Sequence, residues 1–477
     1  MKSNSERVDL HPLIALAVAR KDGMKHAMDK TFSILTFGCK LNQFESERMR
    51  QSLIRREWVF KRFEEGANFC IINSCTVTGR SDARCRRAVR RARTASPHAY
   101  IVVTGCYAET SSAALSAMDE VDLVIGNQGK ESLAAVLDAV AAGNEATHPI
   151  PSGAARVTAS AESEIESFLD HSRAFVKIQD GCDASCGYCI VPRARGPSKS
   201  VDAEAVLRQI RVLAAHGYRE IVLAGIHIGR YGADCSPPST LSALIKRILA
   251  GTSGLRVRLS SIEPTEVTPP LVELLAHEDR LAPHLHVPLQ SGDDGILEAM
   301  DRPYRSWQFR RTIETVARAR TGLGLGTDLM VGFPGETEER FERTVSLARD
   351  LPLSFFHVFP FSPRPGTPAA SMPDQVNSLA KKQRSKRLIE LGASKKRSFL
   401  DAQVGTEQLV LVEGGPQDVS PFARCLTGNY CTVRVPRQGI VPGTLARIRV
   451  THLTRDTLYG IFLGGEAHTG SRTGGGA

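Results

Sequence analysis

Short apolar runs alternate with amphipathic stretches from Thr31 to about residue 150. The runs fall at residues 32–37, 69–72, 100–103 and 121–125. Runs this short, spaced by helical pattern, predict βα units around an open parallel sheet. A second series of the same kind fills residues 173–372, with strands predicted at 174–178, 221–224, 256–259, 284–288, 327–331 and 355–359. Six βα units at this spacing predict a full or partial barrel, with its mouth at the strand carboxyl ends. Residues 374–400 then read as one helix. Beyond it the period changes to short strands at 408–413, 430–435, 445–450 and 457–463, punctuated by Gly and Pro. That pattern predicts a small all-β barrel of the kind that binds oligonucleotides.

The segments between these blocks carry no periodicity. Residues 1–30 read as a flexible extension, the Ser-, Ala- and Glu-rich stretch 151–172 as a linker, and 466–477 as a flexible Gly-rich tail. The layout predicts an α/β chain with an N-terminal domain at 31–150, a central domain at 173–400 with a basic C-terminal helix, and a β domain at 402–465. Read as modules, these domains predict that residues 402–477 can be removed without touching chemistry in the central one. No run is apolar enough for a membrane span.

Charge adds a weak pointer. Lys and Arg number 61 against 51 Asp and Glu, a net charge of +10, which favours polyanionic partners such as nucleic acid. Arg80, Arg84, Arg87 and Arg91 share one helical face, and the 374–400 helix carries eight basic side chains and two acidic ones. Both are candidates for RNA phosphates, and Phe422 and Tyr430 for base stacking. A solvated face and core packing are the ordinary alternatives.

Cysteine carries the chemistry. The chain holds 11, an odd number, with no convincing secretion signal at its start, so metal ligation in a reducing compartment is a better reading than a disulfide scaffold. Cys182, Cys186 and Cys189 form C-x3-C-x2-C directly after the first strand of the central series. Three thiolates on one tight loop can hold three irons of a [4Fe–4S] cluster and leave the fourth iron open to a substrate. A structural zinc site would require a fourth ligand, and none lies close by. Tyr188, beside the last cysteine, is placed to pack on a nucleoside. Cys39, Cys75 and Cys106 each follow a predicted strand of the N-terminal sheet. Equivalent positions on neighbouring parallel strands converge at one sheet edge, where ligands bind in open α/β sheets. They can hold a second cluster, or they are small buried hydrophobes. Cys70, Cys85, Cys235, Cys425 and Cys431 read as structural, with Cys85 the least settled because nearby arginines can lower a thiol's pKa.

The spacing and aromatic residue of the 182–189 loop resemble the radical S-adenosylmethionine superfamily. Gly38-Cys39-Lys40-Leu41-Asn42-Gln43, Asn73-Ser74-Cys75-Thr76-Val77-Thr78 and Thr104-Gly105-Cys106-Tyr107-Ala108 resemble the N-terminal domain of the methylthiotransferases. The loop 181–198, with Pro192 and Arg195-Gly196-Pro197, resembles their radical loop, and the C-terminal barrel their TRAM domain. Within that family, Ser260-Ser261-Ile262-Glu263-Pro264, His284-Leu285-His286-Val287-Pro288-Leu289-Gln290-Ser291-Gly292 and Ser362-Pro363-Arg364-Pro365-Gly366-Thr367 are similar to the branch acting on N6-threonylcarbamoyladenosine in tRNA.

The resemblance implies an enzyme that inserts a methylthio group at C2 of that adenosine at position 37. It implies two [4Fe–4S] clusters, an auxiliary one on Cys39, Cys75 and Cys106 and a radical one on Cys182, Cys186 and Cys189. Two S-adenosylmethionine molecules would be used, with Tyr188, Gly225, Ser261, Glu263, Gln290 and Asp328 at cofactor-binding positions. Its partners would be tRNA, a reductase or flavodoxin-type electron donor and a sulfur donor, in the cytoplasm and away from any membrane. The rival readings are the isopentenyladenosine tRNA branch, the same chemistry on a ribosomal-protein aspartate, and a non-enzymatic iron–sulfur RNA-binding module.

Overall fold

The structure, a computed structural model, describes residues 28–144, 164–414 and 420–465. The extension and tail expected from sequence lie almost wholly outside the described residues, as does most of the linker. Its last part is packed. Ile165 is buried and exchanges two hydrogen bonds with the Gln209 side chain, and the buried Phe168 bonds to the Tyr218 hydroxyl. The chain divides into two compact units, residues 1–163 apart from 77–79, and residues 164–477 together with 77–79.

The first unit is a parallel sheet of β1 (Thr31–Thr36), β2 (Val59–Phe60), β3 (Phe69–Ser74), β4 (Tyr100–Gly105) and β5 (Leu123–Ile125), in the order β2-β1-β3-β4-β5. The central strands β3 and β4 are buried along their whole length because both faces are covered, and they are apolar up to their last two residues. Phe69 and Ile71 join one core with Trp58, Met49 and Leu137, while Cys70 and Ile72 join the other with Val89, Cys85 and Leu115. Three helices follow strands at the carboxyl edge, α1 (Lys40–Ile54), α2 (Gly79–Ala95) and α3 (Cys106–Thr110).

In the second unit β6 (Ala174–Lys177) is followed by a small antiparallel pair, β7 (Gln179–Asp180) and β8 (Lys199–Ser200), which brackets the cysteine loop. Parallel strands β9 (Glu220–Ala224) and β10 (Arg256–Leu259) join β6, and β11 (His284–His286), β12 (Gly324–Val331) and β13 (Phe355–Pro360) form a second parallel trio. A parallel bridge from Val257 to Leu281 and a bond from the Ile262 amide to the His286 carbonyl link the trios into one six-stranded, partial barrel. After helix Ser378–Asp401 come β14 (Glu407–Glu413), β15 (Phe422–Thr427), β16 (Thr432–Pro436), β17 (Leu445–Thr454) and β18 (Thr457–Gly465), closed in the order β14-β15-β16-β18-β17. The fold class is as the sequence predicts. The C-terminal barrel has one strand more, because β15 interrupts its apolar run with Arg424, which faces outward and pairs with Glu413.

The C-terminal barrel is not a detachable module. Glu220, at the start of β9, is fully buried and accepts from Arg256 Nε at 2.5 Å and Arg258 Nε at 2.8 Å. The same two guanidiniums donate to carbonyls of the C-terminal barrel: Arg256 to Leu409 and Leu426, Arg258 to Thr427 and Gly428, at 2.7–3.1 Å. Burial opposes the Glu220 charge, yet the two guanidiniums outweigh it and hold the carboxyl down at about 2. The turn after β15 seats against the central barrel, so that a Cβ on Gly324 would strike the Asn429 carbonyl at 2.3 Å. Removing residues 402–477 would strip both buried arginines of these carbonyls.

Removing one partner of a buried charge network costs roughly 3–5 kcal/mol. Arg258→Ala is expected to lower the melting temperature of the second unit by several degrees, measured by circular dichroism. Because the Glu220 pKa is depressed, its contribution is present above about pH 4.5 and is lost as pH falls towards 2. An unchanged melting curve at pH 7 would show that the network does not hold the two barrels together.

Candidate active site

In the first unit Cys39, Cys75 and Cys106 follow β1, β3 and β4, three adjacent strands, and so lie at one carboxyl edge. Their loops are tied to one another. Asn42 Nδ2 donates to the carbonyls of Phe37 at 2.7 Å and Ser74 at 2.9 Å, and Asn73 Nδ2 donates to the Asn42 carbonyl at 2.9 Å. Gly38 has φ +101°, and a Cβ there would sit 2.7 Å from Cys75 Cβ and 3.0 Å from its Sγ, so only glycine lets the first loop lie against the second thiol. Cys39 is exposed and occupies the N-cap position of α1. Cys75 and Cys106 are buried, and Asn127 Nδ2 lies 3.8 Å from Cys106 Sγ. A glycine-cleared cradle holding three thiols suits a three-ligand [4Fe–4S] cluster.

In the second unit the cysteine loop is closed at its base by a bond from the Cys182 amide to the Gly196 carbonyl at 3.0 Å. Gly181, at φ +70°, has no room for a Cβ, which would lie 1.9 Å from the Pro197 carbonyl oxygen. The loop is also pinned from outside, since the Gly187 amide donates to Met300 and its carbonyl accepts from Ala369. Cys182, Cys186 and Cys189 are all half-buried. Arg302 Nη1 donates to Cys186 Sγ at 3.2 Å, and its Nη2 pairs with Glu263. Burial pushes the Cys186 thiol up, against the pull of Arg302, and pushes Cys189 up to about 12. Cys182 Sγ lies 3.4 Å from His227 Nδ1, whose Nε2 is 2.8 Å from Glu266. Burial disfavours the charged imidazole, but Cys182 and Glu266 outweigh it and raise His227 to about 10. Three thiols with cationic neighbours on one loop fit a cluster that carries net negative charge.

The residues expected at cofactor positions are spread around this loop. The Tyr188 ring meets Phe333 edge-on and packs on an apolar cluster with Met300, Phe361 and Ala369. Gly225 leaves no room for a side chain, because a Cβ would lie 2.7 Å from Ile228 and 3.0 Å from Gln179 Oε1. Ser261 is exposed and Glu263 is held by Arg302. Gln290 is buried with φ +66°, and its Oε1 has no hydrogen bond among the described residues. Among the described residues the Asp328 side chain makes no hydrogen bond or ion pair with the cysteine loop. It accepts from His286 Nε2 at 2.9 Å and His357 Nδ1 at 3.2 Å. Sequence reading missed Arg302, His227 and Glu266 at this site, because each meets its partner across a long stretch of chain.

Four of the remaining five cysteines are buried in cores. Cys70 and Cys85 are core residues, as the structural reading of both expects, and burial, with Asp82 adding to it, pushes Cys85 up to about 12 against the pull of Arg86. Cys425 and Cys431 fill the C-terminal barrel core. Of the basic patches, Arg80, Arg84, Arg87 and Arg91 are all exposed along α2. The later helix is largely spoken for. Arg384 pairs with Glu336, Arg387 with Glu338 and Glu342, and Lys381 and Lys395 bond to main-chain carbonyls. Phe422 packs edge-on against Tyr459, and Tyr430 stacks on His284 rather than standing free. Among the described residues no helix is long and apolar enough to cross a membrane.

Residues 31–126 match the family described as Uncharacterized protein family UPF0004, and residues 176–348 match the Radical SAM superfamily. The threonylcarbamoyladenosine tRNA methylthiotransferase MtaB of Bacillus subtilis (strain 168) is 39% identical over 364 residues, 76% of this chain and 80% of that one. The protein of the same name from Aquifex aeolicus (strain VF5) is 33% identical over 87% of this chain and 98% of its own. The tRNA-2-methylthio-N(6)-dimethylallyladenosine synthase of Moorella thermoacetica is 32% identical over 91% of this chain and 99% of its own. Among solved structures, the radical S-adenosylmethionine methyltransferase TsrM from Kitasatospora setae superposes with a TM-score of 0.54, at 14% identity over 72% of this chain and 74% of that one, a likeness of fold.

The burial pattern predicts thiol reactivity. In the metal-free protein at pH 8, iodoacetamide followed by peptide mass spectrometry is expected to label Cys39 and to spare Cys70, Cys85, Cys425 and Cys431 until the chain is denatured. Rapid labelling of Cys85 in the folded protein would contradict its place in the core.

Proposed function

The chain belongs to the radical S-adenosylmethionine tRNA methylthiotransferases, and from that premise we propose that it inserts a methylthio group at C2 of N6-threonylcarbamoyladenosine at position 37 of tRNA. The observation that carries the choice of substrate is the 39% identity to the Bacillus subtilis enzyme named for it, against 32% to the Moorella thermoacetica synthase named for the dimethylallyl nucleoside. Six cysteines in two triads support the use of two clusters. Membership in an enzyme family named for tRNA sets aside the non-enzymatic module and the ribosomal-protein substrate.

A reduced [4Fe–4S] cluster with S-adenosylmethionine supplies the carbon radical needed to break an aromatic C–H bond, which no side-chain base removes at a useful rate. Cys182, Cys186 and Cys189 would hold that cluster. Arg302 would orient Cys186 and fix Glu263 beside it, and Gln290 Oε1, with Gly225, Ser261, Tyr188 and Asp328, would help seat the cofactor. Cys39, Cys75 and Cys106 would hold the auxiliary cluster in the first domain, at 31–150, where the incoming sulfur would be carried. The domain at 402–465 and the α2 arginine face would grip phosphates, which position an RNA without reading its sequence. An electron donor of the reductase or flavodoxin class and a sulfur donor complete the cycle in the cytoplasm.

Two four-iron clusters predict about eight irons per chain after anaerobic reconstitution. Replacing Cys182, Cys186 and Cys189 together with Ala is expected to remove about half of the iron; loss of all or none would overturn the two-site reading. With tRNA bearing the modified adenosine, Cys75→Ala is expected to form 5′-deoxyadenosine and no methylthio product, while Cys235→Ala changes neither. Methylthiolation by Cys75→Ala at the wild-type rate would overturn the auxiliary assignment.

A further inference from the structure

Residues of β13 alternate between two faces. Phe356 packs on Gly392 of helix Ser378–Asp401, so Phe355, His357 and Phe359 face the other way, into the barrel. There the rings form a column. Tyr430 stacks on His284 with centroids 4.6 Å apart, His284 lies parallel to Phe355 at 5.6 Å, and His286 stacks on His357 at 5.0 Å. Phe355 is in ring contact with His286 at 6.2 Å, which makes the column continuous. His284 and His286 are buried, whereas the His357 side chain at the column's end is 67% exposed. β13 is an edge strand of its trio, so His357 stands where the partial barrel is open.

His357 is exposed without being loose. Its Nδ1 is held by Asp328 Oδ1 at 3.2 Å, the same oxygen that accepts from His286 Nε2 at 2.9 Å, and one face of its ring lies on His286. A ring fixed in this way loses little entropy when another ring stacks on it. Two residues further along the same face, about 7 Å at the strand rise, Phe359 packs on the apolar cluster that also carries Tyr188 of the cysteine loop. The exposed ring therefore shares its strand face with a residue packed on the same apolar cluster as the loop that would hold the radical cluster.

An enzyme that does chemistry on a base must draw the base out of its stack and seat it in a pocket. Every base offers a π-face, and aromatic side chains are the usual platform for an unstacked RNA base. The geometry points to His357 as the shelf on which the target purine of the RNA stacks, with His286 and Asp328 as positioning residues that hold the shelf flat. This rests on the tRNA reading above and adds to it the residue that receives the base.

The test is a cycle between protein and RNA, using full-length, cluster-loaded protein and fluorescence anisotropy. The probes are an anticodon stem-loop with adenosine at position 37 and the same RNA with an abasic site there. His357→Ala is expected to weaken binding of the first RNA about tenfold, whereas His357→Phe, which keeps the ring, stays within about threefold of wild type. Removing the base is expected to cost the wild-type protein a similar factor and His357→Ala almost nothing more, because both changes delete one contact. Wild-type affinity in His357→Ala, or losses that multiply in full, would overturn the shelf. Loss in His357→Phe equal to that in His357→Ala would also overturn stacking and would assign His286, Asp328 and His357 to ligation through nitrogen and oxygen. If the S-adenosylmethionine affinity falls in His357→Ala while the RNA cycle shows no coupling, the ring serves the cofactor's adenine and the proposal fails. Failure of the wild-type protein to bind either RNA would instead overturn the tRNA reading itself.

Discussion

Parallel strands lie about 4.8 Å apart and end on the same edge of their sheet, and the first cysteine triad depends on that spacing. A thiol placed just past the end of β1 shares a sheet edge with one past β3 and one past β4 only because those strands are neighbours in the order β2-β1-β3-β4-β5. The backbone then has to bring the loops closer than side chains would allow, and Gly38 does this at the Cys75 thiol. The second triad solves the same problem differently. Its three thiols share one loop, so convergence is local, and the surrounding structure has only to stop that loop from moving. Gly181, the Gly187 backbone bonds and Arg302 do so.

The second unit is held by charge as much as by apolar packing. A buried carboxylate such as Glu220 is tolerable only with cations beside it, and Arg256 and Arg258 are tolerable only because carbonyls of the C-terminal barrel take their remaining donors. The two barrels therefore share one polar core, and the turn that carries Tyr430 enters the same aromatic column as His284, Phe355, His286 and His357. A domain expected to serve only as an RNA clamp is also part of the wall of the catalytic barrel.

Much of this was legible in the sequence because its signals are local. C-x3-C-x2-C is a single loop, and a run such as residues 69–75 shows both a buried strand and the cysteine at its end. The six barrel strands were readable from apolar runs alone. What was not legible depends on partners far apart in the chain. Arg302 reads as an ordinary loop residue until Cys186 and Glu263 are beside it, and the Arg256–Val257–Arg258 alternation shows its meaning only once Glu220 faces it. The basic helix shows the same limit. Its charge was counted correctly, but Glu336, Glu338 and Glu342, which neutralise Arg384 and Arg387, come from another helix and the loop before it. Cys85 was read as structural with only its arginine neighbours leaving room for another role, and the thiol does point into the core, where burial outweighs Arg86.

The central claim is that this chain places a methylthio group on N6-threonylcarbamoyladenosine of tRNA. Liquid chromatography with mass spectrometry of nucleosides, from total tRNA of cells with and without the gene, measures it directly. The account predicts that the 2-methylthio form of N6-threonylcarbamoyladenosine disappears without the gene, that its unmethylthiolated precursor accumulates in equal measure, and that the methylthio derivative of isopentenyladenosine is unchanged. Persistence of the first nucleoside with loss of the second would contradict it and would move the chain to the other tRNA branch.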